Sequence, residues 1–441
     1  MDQRLLRATW LGVLGAVFVL PVLVYLAISP AGTLWSQLSI VTGLLALSAM
    51  VCAAVLPSRL RSLTRALGIE TVIDAHRFLG TSAAVLVLLH LACVVAADPV
   101  KVSLLDVTTA GRAPRAAVGA TVAVVALVVV AALRARGNRS YEQWRLVHIV
   151  LAGVALLLSA LHVWWLENLV QDPVMGFLLT LVAVLLVAVL VHRWVWRALL
   201  DPSTEFVVRE VRRESPTVST LVLVPQMARH AGEAWSFAPG QFAWIKLRRS
   251  VTAEEHPFTI ASSAGADRRI EFTIRQAGDF TRALARLRPG TPVWVDGPHG
   301  SFTPEARASS GVVMIAGGVG VTPMMSILRT AAHHGDPRPH RLIAIASRHQ
   351  DLLFRDELAD LRRHLDLEVT EVLRRPHPGW SGHTGEIGVE LLAAVLAGAQ
   401  HAEDLDYFIC GPPSLVADAL EALAVLEVPA ENVHTEQFDF A

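Results

Sequence analysis

Charge is scarce in the first 200 residues of this 441-residue sequence. They contain 23 of the 77 Asp, Glu, Lys and Arg residues, so 77 − 23 = 54 fall in the remaining 241. A soluble domain carries more surface charge than this, and a hydrophobic share of 53% is high for a soluble chain. The scarcity excludes an ordinary soluble protein. It predicts a membrane half and a soluble half that meet near Asp201-Pro202-Ser203.

Cysteine and excess positive charge are also missing. The three cysteines, Cys52, Cys93 and Cys410, show no C-x-x-C spacing, so neither a disulfide framework nor a zinc site is indicated. A net charge of −1 without a basic cluster gives no reason to expect a nucleic-acid partner. No EF-hand or other regulatory loop is visible, so we expect activity without a regulatory signal.

The first half instead contains six apolar stretches, most of which reach the ~20 residues that span a bilayer. They are roughly 9–28, 34–56, 72–97, 116–133, 144–166 and 174–196. The first lacks an A-x-A cleavage signal, so we interpret it as a retained helix. Arginines concentrate in the loops of one side of the bundle. The positive-inside rule therefore predicts a cytoplasmic N-terminus and soluble half. The membrane is expected to be a bacterial-type inner or plasma membrane, which the family resemblance described below implies.

Two of these stretches each carry a pair of histidines fourteen residues apart. The third contains His76 and His90, and the fifth contains His148 and His162. At about 100° per residue, fourteen residues fall ~40° short of four turns, so both rings share one helix face. At ~1.5 Å per residue they lie ~21 Å apart along the axis. Because the third and fifth spans run in the same direction, His76 is expected to pair with His148 at an inner site, and His90 with His162 at an outer site.

These pairs have the chemistry of metal ligands. Polar side chains inside a bilayer are costly and usually functional, and helical bundles build cofactor sites from facing helices. Histidine is the usual axial ligand of haem. The pattern predicts two bis-histidine haem b sites. A proton relay, a buried metal, or core histidines with local hydrogen bonds are the alternatives.

The soluble half begins with short strands separated by Gly and Pro turns, over residues 205–302, which predict a small antiparallel barrel. Two motifs within it are His256-Pro257-Phe258-Thr259 and Gly278-Asp279-Phe280-Thr281. In this order they resemble the flavin-binding barrel of the ferredoxin–NADP reductase superfamily. The resemblance implies FAD, with the first motif along the isoalloxazine ring and the second at the diphosphate.

After Ser310 the pattern changes to buried strands and apolar helices. A strand at 311–316 leads into Gly317-Gly318-Val319-Gly320-Val321-Thr322-Pro323. Thr322 is expected to be the N-cap of the next helix and Pro323 its first residue. Glycines let a backbone approach a diphosphate at a helix N-terminus, although such a loop alone is also a common turn. Later strands near 341–347 and 407–410 complete a parallel α/β pattern, which resembles the same superfamily's pyridine-nucleotide domain.

The ends of the later strands bear on the cofactor. Ser347 and Arg348 follow one strand where an acidic residue would bind the ribose of NAD, so they favour the 2′-phosphate of NADPH. A solvated arginine is the alternative. By resemblance, Cys410-Gly411-Pro412 lies beside the nicotinamide, and Phe438 shields the flavin until the nicotinamide displaces it. Cys410 and Phe438 are therefore the candidate catalytic residues. Phe440 is the substitute if the register differs, and a strand-end core Phe is the structural alternative.

Taken together, the chain resembles the NADPH oxidase and ferric reductase superfamily. This implies a six-helix haem domain at 1–200, an FAD-binding β-barrel at 201–308 and an NADPH-binding α/β domain at 309–441. It also implies transfer from cytoplasmic NADPH through FAD and both haems to an outer acceptor. No obligatory protein partner is expected beyond membrane lipid and a small-molecule acceptor.

The acceptor is the open part of this interpretation. Dioxygen, giving superoxide, is favoured because the fused soluble half resembles the oxidase branch. Val94 stands where animal oxidases have a further histidine, and Trp35-Ser36-Gln37 offers no arginine at the outer end of the second span. A ferric chelate, or a partner protein fed by an electron-transfer module, are the alternatives.

Overall fold

The computed structural model describes residues 3–28, 32–134, 141–166, 169–226, 235–265, 269–304, 309–397 and 402–437. Contacts divide the chain into two compact units. The first comprises residues 1–200 and 250–252, and the second comprises residues 201–249 and 253–441. Each unit has apolar cores of its own.

The first unit is helical. Its helices are α1 (Gln3–Ile28), α2 (Leu34–Val55), α3 (Arg61–Leu67), α4 (Ile69–Ala97), α5 (Arg112–Arg134), α6 (Tyr141–Leu166) and α7 (Pro173–Val191), with a π-helical continuation at His192–Leu200. Local chemistry sets their ends: Asp172 accepts the N–H groups of Val174 and Met175, and so caps α7. In the described ranges six helices are long and apolar enough to cross a membrane, which confirms the six predicted spans and indicates a multi-pass membrane protein.

Small residues bring the membrane helices together in pairs. α2 packs against α4 and α5 packs against α6. The buried positions of α2 and α5 are largely small residues, for example Ala46, Ser48, Ala49, Ala120 and Ala123. Small side chains let helix backbones approach closely, which compensates for the weak hydrophobic drive in lipid. The outward faces carry exposed Leu, Val and Phe instead, as lipid contact requires.

The second unit begins with an antiparallel sheet. Its strands are β1 (Glu205–Ser215), β2 (Val218–Pro225), β3 (Phe242–Lys246), β4 (Glu255–Thr259), β5 (Ile270–Arg275) and β6 (Pro292–His299), in the order β4-β3-β6-β1-β2-β5, with a short helix α8 (Asp279–Leu284). Inward-facing residues of alternating strands, such as Phe206, Leu223 and Phe272, form its core. The predicted antiparallel sheet is confirmed.

A closed barrel is not found in the described part of this sheet. Between the β4 side and β5 only an isolated bridge forms, from Ile260 to Phe272. The N–H of Ala261 still donates to the carbonyl of Glu271 on β5 at 2.7 Å. Beyond it, the carbonyl of Ser262 and the N–H of Ala264 bond to a helix of the following domain, so the ladder along β5 stays short.

The rest of the second unit is a parallel α/β layer structure. Its strands are β7 (Gly311–Gly317), β8 (His340–Ala346), β9 (Leu367–Leu373), β10 (His383–Thr384), β11 (Leu405–Gly411) and β12 (Val433–Gln437), in the order β10-β9-β8-β7-β11-β12. Its helices are α9 (Val321–His334), α10 (Arg355–Leu361), α11 (Val389–Leu396) and α12 (Pro413–Val425). All neighbouring strands are parallel, as predicted. The strand order reverses at β7 and β11, the place where such sheets bind ligands.

The start of α9 differs from the prediction. The helix begins at Val321 with Gly320 as N-cap, so Thr322 is its second residue and not its cap. A 3-10 turn at Gly318–Gly320 leads directly into the helix. The Thr322 hydroxyl therefore lies inside the first turn, where it donates to the carbonyl of Val319 at 2.8 Å. Pro323 still occupies the first turn, where its missing N–H costs nothing.

Candidate functional site

The histidines of α4 and α6 meet in two pairs. The ring centroids of His76 and His148 lie 6.0 Å apart, and those of His90 and His162 lie 6.5 Å apart. The rings of each pair are inclined by 62° and 70°. These are the pairs expected from two parallel helices with histidines fourteen residues apart.

Backbone carbonyls orient three of the four rings. Nδ1 of His76 lies 2.8 Å from the oxygen of Ala53, Nδ1 of His90 lies 2.6 Å from that of Ser39, and Nδ1 of His162 lies 3.0 Å from that of Ala113. Because a carbonyl oxygen only accepts, each Nδ1 carries the proton and donates it. The Nε2 lone pair is then left for a ligand. This arrangement is typical of metal-bound histidine.

The spacing of each pair fits one metal bound by both rings. Metal–nitrogen bonds of about 2 Å on each Nε2 would place two imidazole centres roughly 6 Å apart. The observed 6.0 and 6.5 Å agree with this. A cavity of about 120 Å³ reaches both rings of the outer pair and is lined by small residues that include Gly43, Ala117 and Ala120. The four residues therefore fit two bis-histidine haems.

His148 is held differently from the other three. Its Nδ1 is buried, and the described residues offer it no hydrogen-bond partner. Its ring instead lies against Trp144, one turn earlier, at a centroid distance of 5.2 Å and an angle of 30°. The Trp144 indole donates to the carbonyl of Val130 at 3.2 Å, and the Arg134 guanidinium lies 4.3 Å from its ring centre. Ring packing thus replaces the hydrogen bond at this position.

The two flavin motifs of the sequence come together in the second unit. The imidazole of His256 on β4 lies 4.6 Å from the ring of Phe280 on α8, and the rings of Phe258 and Phe280 stack at 6.4 Å. Thr281 fixes the turn before α8, because its hydroxyl accepts from the N–H groups of Ala277 and Gly278 at 2.9 Å each. Pro257 lies between His256 and Phe258 on β4, and Asp279 opens α8 with an ion pair to Arg282 at 2.7 Å.

Thr259 ends this strand with an unsatisfied hydroxyl. Its Oγ1 is buried and has no hydrogen-bond partner within the described residues, and the residue is 4% exposed. A buried hydroxyl without a partner is costly. The atom therefore fits a ligand that brings its own polar edge, as a flavin ring does.

Close backbone approach explains the glycine loop and its neighbour. A Cβ atom on Gly320 would lie 2.2 Å from the carbonyl oxygen of Cys410, and one on Gly317 would lie 2.9 Å from Pro412. The loop after β7 therefore packs directly on the Cys410-Gly411-Pro412 stretch after β11. Gly318 differs, since it has a φ of +57° and open space beside it. Of these glycines, Gly318 therefore has space beside its backbone, and Gly317 and Gly320 join the two loops.

Ser347 and Arg348 lie at the carboxyl end of β8, and both are exposed. The N–H of Arg375 donates to the carbonyl of Ser347 at 3.0 Å, which brings a second arginine to the same edge of the sheet. The edge is therefore exposed and carries an arginine, as a phosphate-binding edge requires.

The end of the chain lies only partly within the described residues. Phe438 and Phe440 are outside them, so the predicted flavin shield stays a prediction. β12 ends at Gln437 and pairs Glu436 with Cys410. Glu436 is 8% exposed, and sequence reasoning did not assign it to the site. The sequence did contain a signal for Glu436. It lies near the end of a strand that is parallel to the strand of Cys410, so both residues lie at the same edge of the sheet.

Sequence reasoning also missed the groups around the histidines. Gly43 packs on His90, and a Cβ atom there would lie 2.9 Å from Nδ1. The carbonyl acceptors cannot be recognised in a sequence, because any residue supplies one. A glycine within an apolar helix was the one available signal.

Family comparisons match three segments of the chain. They are "Ferric reductase like transmembrane component" at residues 42–159, "FAD-binding domain" at 218–302, and "Oxidoreductase NAD-binding domain" at 314–421. The first match covers α4 and the part of α6 up to residue 159, with three of the four histidines. The other two cover the flavin motifs and the glycine loop.

Curated relatives match the second half. Ferredoxin–NADP reductase B of Sorangium cellulosum (strain So ce56) is 33% identical over 238 residues, which are 52% of this chain and 95% of the relative. The flavohemoprotein of Bacillus subtilis (strain 168) is 26% identical over 241 residues, and the chain spans 58% of its length. The solved FAD/NAD-binding domain of nitric oxide dioxygenase from Vibrio cholerae O1 biovar El Tor is 25% identical. It covers 54% of this chain and 98% of that chain, with a TM-score of 0.47.

Proposed function

Since the chain belongs to the ferric reductase and NADPH oxidase superfamily, with a ferredoxin–NADP reductase-like second half, we propose that it is an NADPH oxidase that produces superoxide outside the membrane. The family matches already imply an oxidoreductase that binds FAD and a nicotinamide nucleotide and transfers electrons. The proposal adds two haems, NADPH as the donor and dioxygen as the acceptor.

When bound, FAD supplies the change from hydride to single-electron transfer, and the haems supply one-electron carriers through the membrane. The chain's own residues bind and orient. The Thr259 hydroxyl would hold the polar edge of the flavin, and Phe258 on the same strand would lie along the ring. Gly318 would admit the nucleotide diphosphate, and Cys410 would lie beside the nicotinamide. Phe438 would cover the flavin until the nicotinamide takes its place.

In the membrane half, His76 and His148 would hold the inner haem, and His90 and His162 the outer one. Hydrogen bonds from Nδ1 to backbone carbonyls keep three of the Nε2 atoms aimed inward. Because two histidines would hold each haem, we expect the acceptor to be reduced without binding iron.

One observation carries the proposal. Two histidine pairs at the spacing of shared metal ligands lie in the same chain as a flavin and nicotinamide reductase. A proton relay does not require rings whose spacing matches a shared metal at two depths. It also gives no reason for a reductase in the same chain.

NADPH is proposed as the donor because Ser347 and Arg348 stand where an acidic residue would select NAD. Both are exposed at the carboxyl end of β8. We also propose that the N-terminus and the reductase half are cytoplasmic in a bacterial-type plasma membrane, because arginines concentrate in the loops of one side. No obligatory protein partner is proposed.

Ferric chelate reduction is the second candidate function. The description of the family that matches residues 42–159 names ferric reductase. Val94 also stands where an oxidase-type polar oxygen site would have a histidine, and Trp35-Ser36-Gln37 contains no arginine for such a site. Dioxygen stays the first choice because the reductase is fused to the haem domain, as in the oxidase branch.

The test is a reduced-minus-oxidised spectrum of the detergent-purified chain with FAD and NADPH, repeated for His148→Ala and His162→Ala. We expect low-spin b-type bands that appear on NADPH addition, and a loss of haem in each variant. A wild-type protein without haem would overturn the proposal. Superoxide-dismutase-sensitive reduction of cytochrome c would then identify dioxygen as acceptor. Ferric-chelate reduction that persists with the dismutase and under nitrogen would identify ferric iron.

A further inference from the structure

One face of α9 is polar and meets the backbone that follows β4. This polar face of α9 consists of Ser326, Arg329 and Thr330, whose i, i+3 and i+4 spacing places them side by side. The Ser326 hydroxyl donates to the carbonyl of Ser262 at 2.8 Å. The N–H of Ala264 donates to the Thr330 hydroxyl at 2.9 Å. Both bonds join the nucleotide domain to the flavin domain, with a side-chain hydroxyl on α9 and a main-chain atom on the flavin side.

Arg329 is the centre of this face. Its Nη1 donates to the carbonyl of Ala261 at 2.7 Å and lies 3.4 Å from Glu271 on β5. Its Nε and Nη2 donate to both oxygens of Glu357 on α10, at 2.6 and 2.7 Å. One guanidinium therefore binds the flavin sheet on one side and a second helix of the nucleotide domain on the other.

The flavin-domain side of these bonds is shielded from water. The Arg329 side chain is 12% exposed and that of Glu271 is 6% exposed, whereas that of Glu357 is 39% exposed. Glu271 is also bound by Arg212 at 3.0 Å. Bidentate, partly buried arginine–carboxylate pairs define geometry better than exposed pairs, because the planar fork has a single good orientation.

The bonds connect the two elements that would carry the reacting rings. Ala261 lies two residues after Thr259, where the flavin motif ends. α9 begins at the glycine loop, where Gly320 packs on Cys410. A short strand and a helix transmit position with little bending. The contacts at Ala261, Ser262 and Ala264, together with the packing of Phe302 on Phe408 at 5.1 Å, therefore set how close the glycine loop comes to Thr259.

We propose that Arg329, supported by Ser326 and Thr330, is a positioning residue for hydride transfer, because it fixes the nucleotide domain at the distance from the flavin strand that the reaction needs. This inference rests on the proposed function, in which the flavin is reduced by NADPH. Hydride transfer is sensitive to placement, since a displacement of 1 Å by a remote change can cost about 100-fold in rate. Arg329 touches neither the motif residues nor the glycine loop in the contacts described, so its effect would be on geometry.

The experiment compares Arg329→Lys with the wild type in the full detergent-purified holoprotein. Lysine keeps the charge but cannot bind Ala261 and both oxygens of Glu357 together. The matched control is Arg338→Lys. Arg338 makes a bidentate pair with Asp336 at the opposite, amino end of β8. The measurements are anaerobic flavin reduction by saturating NADPH in a stopped-flow instrument, FAD content, and NADP⁺ affinity.

For Arg329→Lys we expect a limiting rate of flavin reduction roughly 10- to 100-fold lower, with FAD content and NADP⁺ affinity within about 2-fold of the wild type. The primary isotope effect with 4-deuterated NADPH should rise, since hydride transfer becomes more fully rate-limiting. Arg338→Lys should reduce at the wild-type rate. A merely structural role would lower FAD content or affinity and leave the isotope effect unchanged.

Two results would overturn the inference alone: a limiting rate within 2-fold of the wild type, or a loss of rate that is accounted for by lost FAD. Glu357→Gln keeps the test decisive if Arg329→Lys does not fold. It leaves the bond from Arg329 to Ala261 and should lower the rate by about 2- to 5-fold, and no change in rate would count against the inference. A wild-type holoprotein whose flavin NADPH cannot reduce would overturn the proposed function itself.

Discussion

Gly43 on α2 lies directly against His90 on α4, so that a Cβ atom at position 43 would be 2.9 Å from Nδ1 of the imidazole. The same Nδ1 donates to the carbonyl of Ser39, one turn earlier on α2, at 2.6 Å. The glycine therefore lets the ring reach a carbonyl that a side chain would cover. A backbone feature of one helix thus sets the orientation of a proposed haem ligand on another.

Gly43→Ala should disturb the outer haem and leave the inner one bound. Alanine normally favours a helix over glycine by ~1 kcal/mol, but here its methyl group would displace His90 from the Ser39 carbonyl. Loss of such a supporting contact typically weakens metal binding about 10- to 100-fold. Haem content, measured as the pyridine haemochrome, should therefore fall toward half.

Gly80→Ala is the control, because Gly80 is exposed on α4 and a Cβ atom there meets nothing within 4 Å. It should keep full haem content. Equal haem content in the wild type and Gly43→Ala would show that the contact does not orient the ligand.

Trp144→Leu should affect the inner haem. His148 has ring packing from Trp144 at 5.2 Å where the other three histidines have a carbonyl. Leucine keeps an apolar side chain but removes the flat indole and its bond to Val130. The ring of His148 should then gain freedom, which broadens the low-spin electron paramagnetic resonance signal of one haem and shifts its midpoint potential.

Trp164→Leu provides the comparison, since Trp164 is 60% exposed on the same helix. Its signals should match the wild type. Identical spectra for Trp144→Leu and the wild type would contradict an orienting role for the indole.

The sequence was sufficient to predict elements whose signal is periodic or local. The six spans follow from apolar length, and the histidine pairs follow from a fourteen-residue spacing on two helices. The supporting groups could not be predicted, because the acceptors at Ser39, Ala53 and Ala113 are carbonyls that every residue has. The N-cap of α9 was predicted at Thr322, whereas it lies at Gly320. The 3-10 turn at Gly318–Gly320 moves the start of the helix, and residue type alone does not reveal such a turn.

Contacts between residues that are distant in sequence could not be predicted either. Nothing in the sequence around Arg329 distinguishes it from a solvated arginine on an amphipathic helix. Its bond partners, Ala261 and Glu357, lie 68 and 28 residues away. The predicted closed barrel is not confirmed, because beyond the bridge from Ile260 to Phe272 the backbone at Ser262 and Ala264 bonds to α9.

Arg348→Ala should weaken the preference for NADPH over NADH. A guanidinium that binds the 2′-phosphate contributes about 1.5–3 kcal/mol, or roughly 10- to 100-fold in affinity. The Michaelis constant for NADPH should rise by that factor while that for NADH stays constant. Arg363→Ala is the control, because Arg363 is exposed and pairs with Asp360 on its own segment. An unchanged ratio in Arg348→Ala would remove the basis for NADPH as the specific donor.

His340 should make the reductase half less stable in acid. Burial lowers the pKa of its imidazole from the ordinary 6.5, although the nearby Asp336 carboxylate opposes this. Below pH 6.5 the unfolded chain therefore binds a proton at this histidine that the folded chain does not bind. As the pH decreases, the free energy of unfolding falls by up to about 1.4 kcal/mol per pH unit until the histidine of the folded chain is also protonated. Asp336 adds a loss of stability at lower pH. The Arg338 hydrogen bond lowers the pKa of its carboxyl group, and this stabilisation disappears as the pH falls through that lowered pKa.

The measurement is the temperature at which the full chain releases FAD, followed by FAD fluorescence. This temperature should decline from pH 7 to 5.5. His340→Gln should flatten that decline, and His333→Gln, at an exposed position of α9, should not. Parallel curves for all three proteins would show that another group sets the acid limit.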